Sequence, residues 1–299
     1  MRIRPFEYYT AINQSDVLDK LAKYGPDTKV VAGGTDLVLA MKRKTILPRV
    51  VVSLHKVREL DFVREEDSRV CIGALTRHAD LAMNTTLNDN FPILCEAVSL
   101  IGSWQIRNVA TIGGNLCNAS PAADSAPPLL ALDARLVIAD SEGEDEIPLS
   151  SFFTGPGATV LKSNQLLKEI VVERPKTRSA GCYLKLMRKK AGDLSLVGVA
   201  FQAETDQAGE KLARVAIGLG GVAPTPVRAP ETEAMLTGLS YDEAIKEIPE
   251  AARAAVRATS PIADIRASAD YRRTIVEIYV RRAAEKILGT LFNGEDIQK

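Results

Sequence analysis

Clusters of metal-binding side chains are missing from this sequence of 299 residues. Its four cysteines, Cys71, Cys95, Cys117 and Cys182, stand far apart and form no CxxC pair. That excludes the local ligand groups of zinc and iron–sulfur sites, and a cytoplasmic chain of this size has no need of disulfide staples. Four buried free thiols are the expectation. There are two histidines, His55 and His78, and neither HExxH nor GxSxG occurs, so no metal ligand and no catalytic residue is nominated. Charge excess is lacking too: 38 lysines and arginines balance 38 aspartates and glutamates. Nucleic-acid binding proteins usually carry a basic surplus or face, so no nucleic-acid partner is expected. The short basic run Met41–Lys44 reads as the solvated end of a helix.

No uncharged apolar stretch approaches the roughly 20 residues of a membrane span. The segment Met1–Glu7 has no apolar core of signal-peptide length. The expectation is a cytoplasmic chain with no membrane span. GxGxxG and GxxxxGKS/T are both absent, and Gly218–Pro224 runs into a proline rather than a helix, so neither a Rossmann site nor nucleotide hydrolysis is supported. There is no internal repeat. What the sequence does have is 46% hydrophobic residues, enough for a core of two domains or one large one.

Ser15 caps a predicted helix to Tyr24, which Gly25 and Pro26 stop. Lys29–Ala32 and Val50–Val52 read as buried strands, with a helix over Leu37–Lys44 between them; together they make a small α/β unit to about His55. Further on, Arg69–Ile72 predicts a strand, Thr76 a cap for a helix to Met83, and Phe91–Leu100 a helix. Strands follow at Ala134–Ala139 and Leu166–Val172. Pro175 and its charged neighbours mark a boundary at Glu173–Ser179. Beyond it, Gly181–Met187, Leu196–Ala203 and Leu212–Leu219 predict an antiparallel sheet. A last helix over Ala267–Ile287 carries a basic cluster, Arg272, Arg273, Arg281 and Arg282, read as a charged face.

Two glycine loops carry the chemistry. At Gly33-Gly34-Thr35 a strand enters a glycine pair and then a helix, which exposes backbone N–H groups to an anion with no Cβ in the way. A second loop, Thr111-Ile112-Gly113-Gly114-Asn115, repeats that chemistry and adds a side-chain amide. Two such loops could clamp the two phosphates of a dinucleotide; two plain structural turns remain the alternative. Lys185, on a strand whose neighbours are apolar, needs an anionic partner. Either a carboxylate or an anionic reduced flavin meets that need, and the sequence does not choose.

At these loops the chain resembles the flavoproteins of the molybdenum hydroxylase family, which includes the medium subunit of aerobic carbon monoxide dehydrogenase and the flavin domain of xanthine dehydrogenase. The resemblance rests on Ala32–Leu37 and Thr111–Asn115. It extends through Gln105–Asn108, Ala119–Pro121, Asp124, Ser151–Phe153, Lys185–Asp193, Gly220–Pro226 and Tyr271-Arg272. It implies an α+β chain with a vanillyl-alcohol-oxidase-type FAD-binding fold. An FAD-binding domain over residues 1–175, with α/β subdomains 1–55 and 56–175, would precede a C-terminal domain, 176–299, of small antiparallel sheet and helices. It also implies FAD contacts from Val31, Ala32, Gly33, Gly34, Thr35, Asp36 and Leu37, then from Thr111, Gly113, Gly114, Asn115 and Asp124. Ile101 and Leu167 align with apolar positions beside the flavin, and Lys185 with a lysine near its ring.

By the same resemblance the chain is an FAD-dependent oxidoreductase subunit active within a heterotrimer. A large subunit would hold the molybdenum cofactor, and a small subunit with 2Fe–2S clusters would pass electrons to this FAD. An acceptor such as NAD would then collect them. The alternatives are a self-sufficient flavin oxidase or reductase of the same fold and, further off, a flavin-free assembly subunit. The scattered cysteines speak against the extra iron–sulfur cluster of one family branch. The substrate is not expected to bind this chain.

Overall fold

The structure is a computed structural model that describes residues 3–189 and 192–294. The ends of the expected first and last domains, and Lys190 and Ala191 within the matched segment Lys185–Asp193, lie outside the described residues. The chain opens with β1 (Glu7–Thr10), α1 (Gln14–Tyr24), β2 (Thr28–Val31), α2 (Leu37–Arg43) and β3 (Val50–Ser53). The three strands form a parallel sheet in the order β1-β3-β2, with Glu7 and Thr28 both in register with Val50. Every residue of β3 is buried, as a continuous apolar run at the centre of a covered parallel sheet should be. Helix α1 is capped by Asn13, whose side chain accepts from the Asp16 N–H at 2.8 Å, and not by Ser15.

The middle of the chain runs through β4 (Val63–Glu66), β5 (Arg69–Gly73) and six short helices: α3 (His78–Ala82), α4 (Thr85–Asn90), α5 (Pro92–Ser99), α6 (Trp104–Arg107), α7 (Ile112–Cys117) and α8 (Ala126–Ala131). Then come β6 (Arg135–Ala139), β7 (Glu144–Pro148), the small pair β8 (Phe153–Gly155) and β9 (Ala158–Thr159), and β10 (Leu166–Glu173). An antiparallel sheet in the order β4-β5-β10-β6-β7 results, and the helices pack over it. Thr76 caps nothing: its hydroxyl donates to the Phe62 carbonyl at 2.9 Å, and α3 begins two residues later.

The remaining elements are β11 (Ser179–Leu186), β12 (Val197–Thr205), β13 (Leu212–Gly220), β14 (Val227–Arg228), α9 (Pro230–Leu236), α10 (Tyr241–Arg257) and α11 (Ala269–Asn293). Their antiparallel sheet, β11-β12-β13-β14, holds the three strands expected there plus a short fourth. Both of its faces are covered. Val199, Phe201 and Ile217 meet α10 and α11, while Tyr183, Ala200 and Ala216 join the core around α5 and α8. Small residues on that second face let α8 approach closely: a Cβ at Gly218 would lie 2.0 Å from the Pro127 carbonyl oxygen.

Helix α11 continues past Ile287 because Leu288 and Leu291 extend its buried stripe; its stop is Gly294, left-handed at φ 69°. Its arginines do not form one charged face. Arg272 is buried, donating to the Leu196 carbonyl at 2.6 Å, the Gly221 carbonyl at 3.0 Å and Asp264 at 3.1 Å. Three of the four cysteines are buried, whereas Cys117 is exposed. Arg272→Met should therefore cost about 3 kcal/mol, since it strands two carbonyls. Urea unfolding of the variant beside the wild type measures it, and a loss within 0.5 kcal/mol, about that of an ordinary surface substitution, would contradict the assignment.

Candidate functional site: two glycine loops and a buried carboxylate

The first loop leaves the parallel sheet where Val31 pairs with Ser53. The chain turns through Ala32 and Gly33, reaches φ +70° at Gly34, and enters α2 at Leu37. Side chains other than glycine's are strained at that φ. Among the described residues, the backbone N–H groups of Ala32, Gly33, Gly34 and Thr35 make no hydrogen bond. Four open amides in succession suit an oxyanion. A cavity of about 380 Å³ opens beside them, lined by Val31, Ala32, Gly33, Gly34 and Leu37 together with Phe6, Tyr8 and His55. Asp36 borders α2 without capping it.

The backbone leading into the second loop touches the first. A Cβ on Gly33 would lie 2.0 Å from the Val109 carbonyl oxygen and 2.9 Å from the Ala110 Cα, so glycine is what lets the two segments meet. In the second loop most amides are already used. Thr111 caps α7 by accepting from Gly114 N–H at 3.1 Å, and Gly113 N–H donates to the Ala74 carbonyl at 2.9 Å. Gly113 thus packs this loop against Ala74, and the run of free amides belongs to the first loop. The Asn115 Oδ1 accepts from the Ser125 hydroxyl at 2.6 Å.

Ser125 adjoins a buried polar cluster. Asp124, 6% exposed, receives Lys185 Nζ on one carboxylate oxygen and the Tyr183 hydroxyl on the other, both at 2.8 Å. Lys185 also donates to the Leu100 carbonyl at 2.8 Å, and the Tyr183 backbone N–H donates to Glu96 at 2.8 Å. Burial pushes the Asp124 carboxyl up, against the pull of Lys185 and Tyr183. Burial also raises the Tyr183 phenol well above its usual range, with the Asp124 charge adding to it. The anionic partner that Lys185 required is therefore a buried carboxylate of this same chain.

Ile101 and Leu167 are both buried in the core that includes Tyr183. Arg107 holds the intervening turn. It is 8% exposed, donates to the Ile101 carbonyl at 2.8 Å, and lies 4.7 Å from the centre of the Trp104 ring. Contacts thus link Gly33 through residues 100–115 to Asp124 and Lys185. Arg107, Ser125, Tyr183 and Glu96 were not nominated from sequence. Tyr183 was the findable one, two residues from Lys185 and so on the same face of its strand.

Residues 4–175 match the family described as the FAD binding domain in molybdopterin dehydrogenase, and residues 182–287 the CO dehydrogenase flavoprotein C-terminal domain. The chain is 33% identical to the 6-hydroxypseudooxynicotine dehydrogenase complex subunit alpha of Paenarthrobacter nicotinovorans, over 96% of each chain. It is 32% identical to the carbon monoxide dehydrogenase medium chain of Hydrogenophaga pseudoflava, over 93% of this chain and 95% of that one. A solved structure of carbon monoxide dehydrogenase from Hydrogenophaga pseudoflava, lacking the Mo-pyranopterin moiety, superposes with a TM-score of 0.92 at 32% identity, covering 98% of this chain and all of that one.

The chain belongs to the FAD-binding flavoproteins of the molybdenum hydroxylase family. Within it, the chain is a medium-subunit-type, FAD-dependent oxidoreductase component of the xanthine dehydrogenase and carbon monoxide dehydrogenase type. Its fold is accordingly the expected FAD-binding α+β fold followed by a C-terminal sheet and helices. The residues fit the cofactor: open amides at Ala32–Thr35 for a pyrophosphate, and a cavity beside them for part of the ligand.

Two outcomes follow from this geometry. Gly33→Ala forces a Cβ into the Val109 carbonyl, and overpacking of that size should weaken FAD binding by about tenfold or more; a fluorescence titration with FAD reads it, and unchanged affinity would separate the loop contact from the cofactor. His78, fully buried beside Ala110 with neither ring nitrogen hydrogen-bonded among the described residues, is pushed down to about 4 by burial, with the Arg107 charge second. An unfolded histidine takes its proton near 6.5. Between those values the unfolded state binds more protons, so stability falls as pH drops, by about 2–3 kcal/mol at pH 4.5. His78→Phe should flatten that slope in urea unfolding followed from pH 7 to 4.5.

Proposed function

We propose that this chain carries electrons through its FAD between a small subunit bearing 2Fe–2S clusters and an external acceptor such as NAD. A large molybdenum-cofactor subunit would oxidise the substrate. The contact of the first glycine loop with the backbone leading into the second, with four open amides on the first, is the observation that carries the reading. Amides fixed by the fold bind a pyrophosphate without rearranging, and the isoalloxazine then supplies two-electron and one-electron chemistry in one group. The protein's part is to hold and orient it.

In this reading Val31, Ala32, Gly33, Gly34, Thr35, Asp36 and Leu37 cradle the pyrophosphate. Thr111, Gly113, Gly114 and Asn115 shape the opposite wall, Asp124 contacts the cofactor, and Ile101, Leu167 and Lys185 border the flavin. Lys185 then acts through its pair with Asp124, as two of its three N–H donors are committed within the chain. The chain divides into an FAD-binding domain, 1–175, with subdomains 1–55 and 56–175, and a C-terminal domain, 176–299. It works in the cytoplasm; among the described residues no helix is long and apolar enough to cross a membrane.

The test is purification of the chain under native conditions from its own host, with an absorption spectrum and the masses of co-eluting chains. Flavin bands, together with one molybdenum-bearing and one iron–sulfur partner, are the expected result. A yellow protein that elutes alone and turns over a substrate unaided would overturn the subunit reading in favour of a self-sufficient flavoenzyme. A colourless chain that takes up no FAD would overturn the site.

A further inference from the structure

Tyr183 ties both of its ends to the first part of the chain. Its backbone N–H donates to Glu96 on α5, and its hydroxyl donates to Asp124 ahead of α8, each at 2.8 Å. Lys185, next on the same face of β11, takes the other oxygen of that carboxylate. Two residues spaced by the strand period therefore hold both oxygens of one buried acid. The neighbouring strand makes room for this. Gly198 of β12 pairs with Lys185, and a Cβ there would lie 2.3 Å from the Tyr183 hydroxyl oxygen. Any side chain at 198 would push the phenol off Asp124.

We propose that Tyr183 is a positioning residue for the cofactor end of the site: it fixes the orientation and ionised state of Asp124 through its hydroxyl, in a slot that Gly198 keeps open. The proposal rests on the assignment of Asp124 to the FAD. The ammonium of Lys185 balances the charge of the carboxylate but reaches only one of its oxygens. Without the phenol, the second oxygen loses its 2.8 Å donor and the carboxylate keeps only Lys185 and the Ser195 hydroxyl, a loss that protonation relieves. The groups facing Asp124 are Lys185 and Tyr183 from β11 and the Ser195 hydroxyl ahead of β12. Glu96 of α5 faces Tyr183 from the other side. Lys185 and Tyr183 oppose the burial that favours the neutral acid, so removing the phenol hydroxyl moves the acid's titration upward.

The experiment follows FAD fluorescence recovery as the full-length protein is acidified, for wild type, Tyr183→Phe, Gly198→Ala, Asp124→Asn and the double variant Asp124→Asn/Tyr183→Phe. Circular dichroism and thermal melts confirm that each is folded. The expected result is an upward move of the release midpoint by about one pH unit in Tyr183→Phe, the size of losing one hydrogen bond to a charged acceptor. Gly198→Ala, which keeps the phenol but displaces it, should move it the same way, and it decides the matter if Tyr183→Phe does not fold. In the Asp124→Asn background, Tyr183→Phe should add nothing. Folded variants that release FAD at the wild-type midpoint would overturn the proposal, as would an equal shift with and without the Asp124 carboxylate. Wild type that takes up no FAD overturns the cofactor assignment beneath it, and the proposal with it.

Discussion

A carboxylate and an ammonium placed together out of water stabilise a fold only when their remaining donors and acceptors are met as well. Asp124 and Lys185 approach that condition with help from distant parts of the sequence: the Leu100 carbonyl accepts a second hydrogen bond from the lysine, and Tyr183 covers the other carboxylate oxygen. These bonds come from β11 on one side and from α5 and the approach to α8 on the other. The arrangement forces the C-terminal sheet to dock in one register on the preceding core. A slip of β11 by one residue would turn both side chains to the opposite face.

That docking bears directly on the glycine loops. The turn after α5 contains Leu100 and Ile101, and Arg107 clips the same turn from its other end. Val109 and Ala110, a few residues on, are the backbone against which Gly33 rests. The position of the first loop thus depends on a chain of contacts that ends in the C-terminal sheet. The glycine loops in this protein are held by packing between parts of the chain and not by any one element.

Sequence periodicity made most of the strands legible: β2, β3, β5, β6, β10 and the three long strands of the last sheet fall within a few residues of where apolar runs placed them, whereas α10 was not placed. The family was legible from an ordered set of short motifs. Caps were less so: Ser15 and Thr76 have the right chemistry, but Asn13 takes the first role and the Phe62 carbonyl accepts the Thr76 hydroxyl. The end of α11 was misjudged because a buried Gly289 sits inside a helix whose packing outweighs its poor propensity. The glycines of the Gly218–Gly220 segment serve close packing against Pro127, which no local pattern announces. Long-range pairings such as Tyr183 with Asp124 and Arg272 with the Gly221 carbonyl have no local signature at all.

The chain has a single tryptophan, and it stands on the turn that Arg107 clamps. Trp104 is 67% exposed, yet its ring rests on a guanidinium that is itself anchored to the Ile101 carbonyl. The molecule therefore carries its own optical reporter on the turn that leads toward the second glycine loop. Indole emission overlaps flavin absorption, so light emitted by this one residue would be quenched by a flavin bound nearby, with no label added and no background from other indoles.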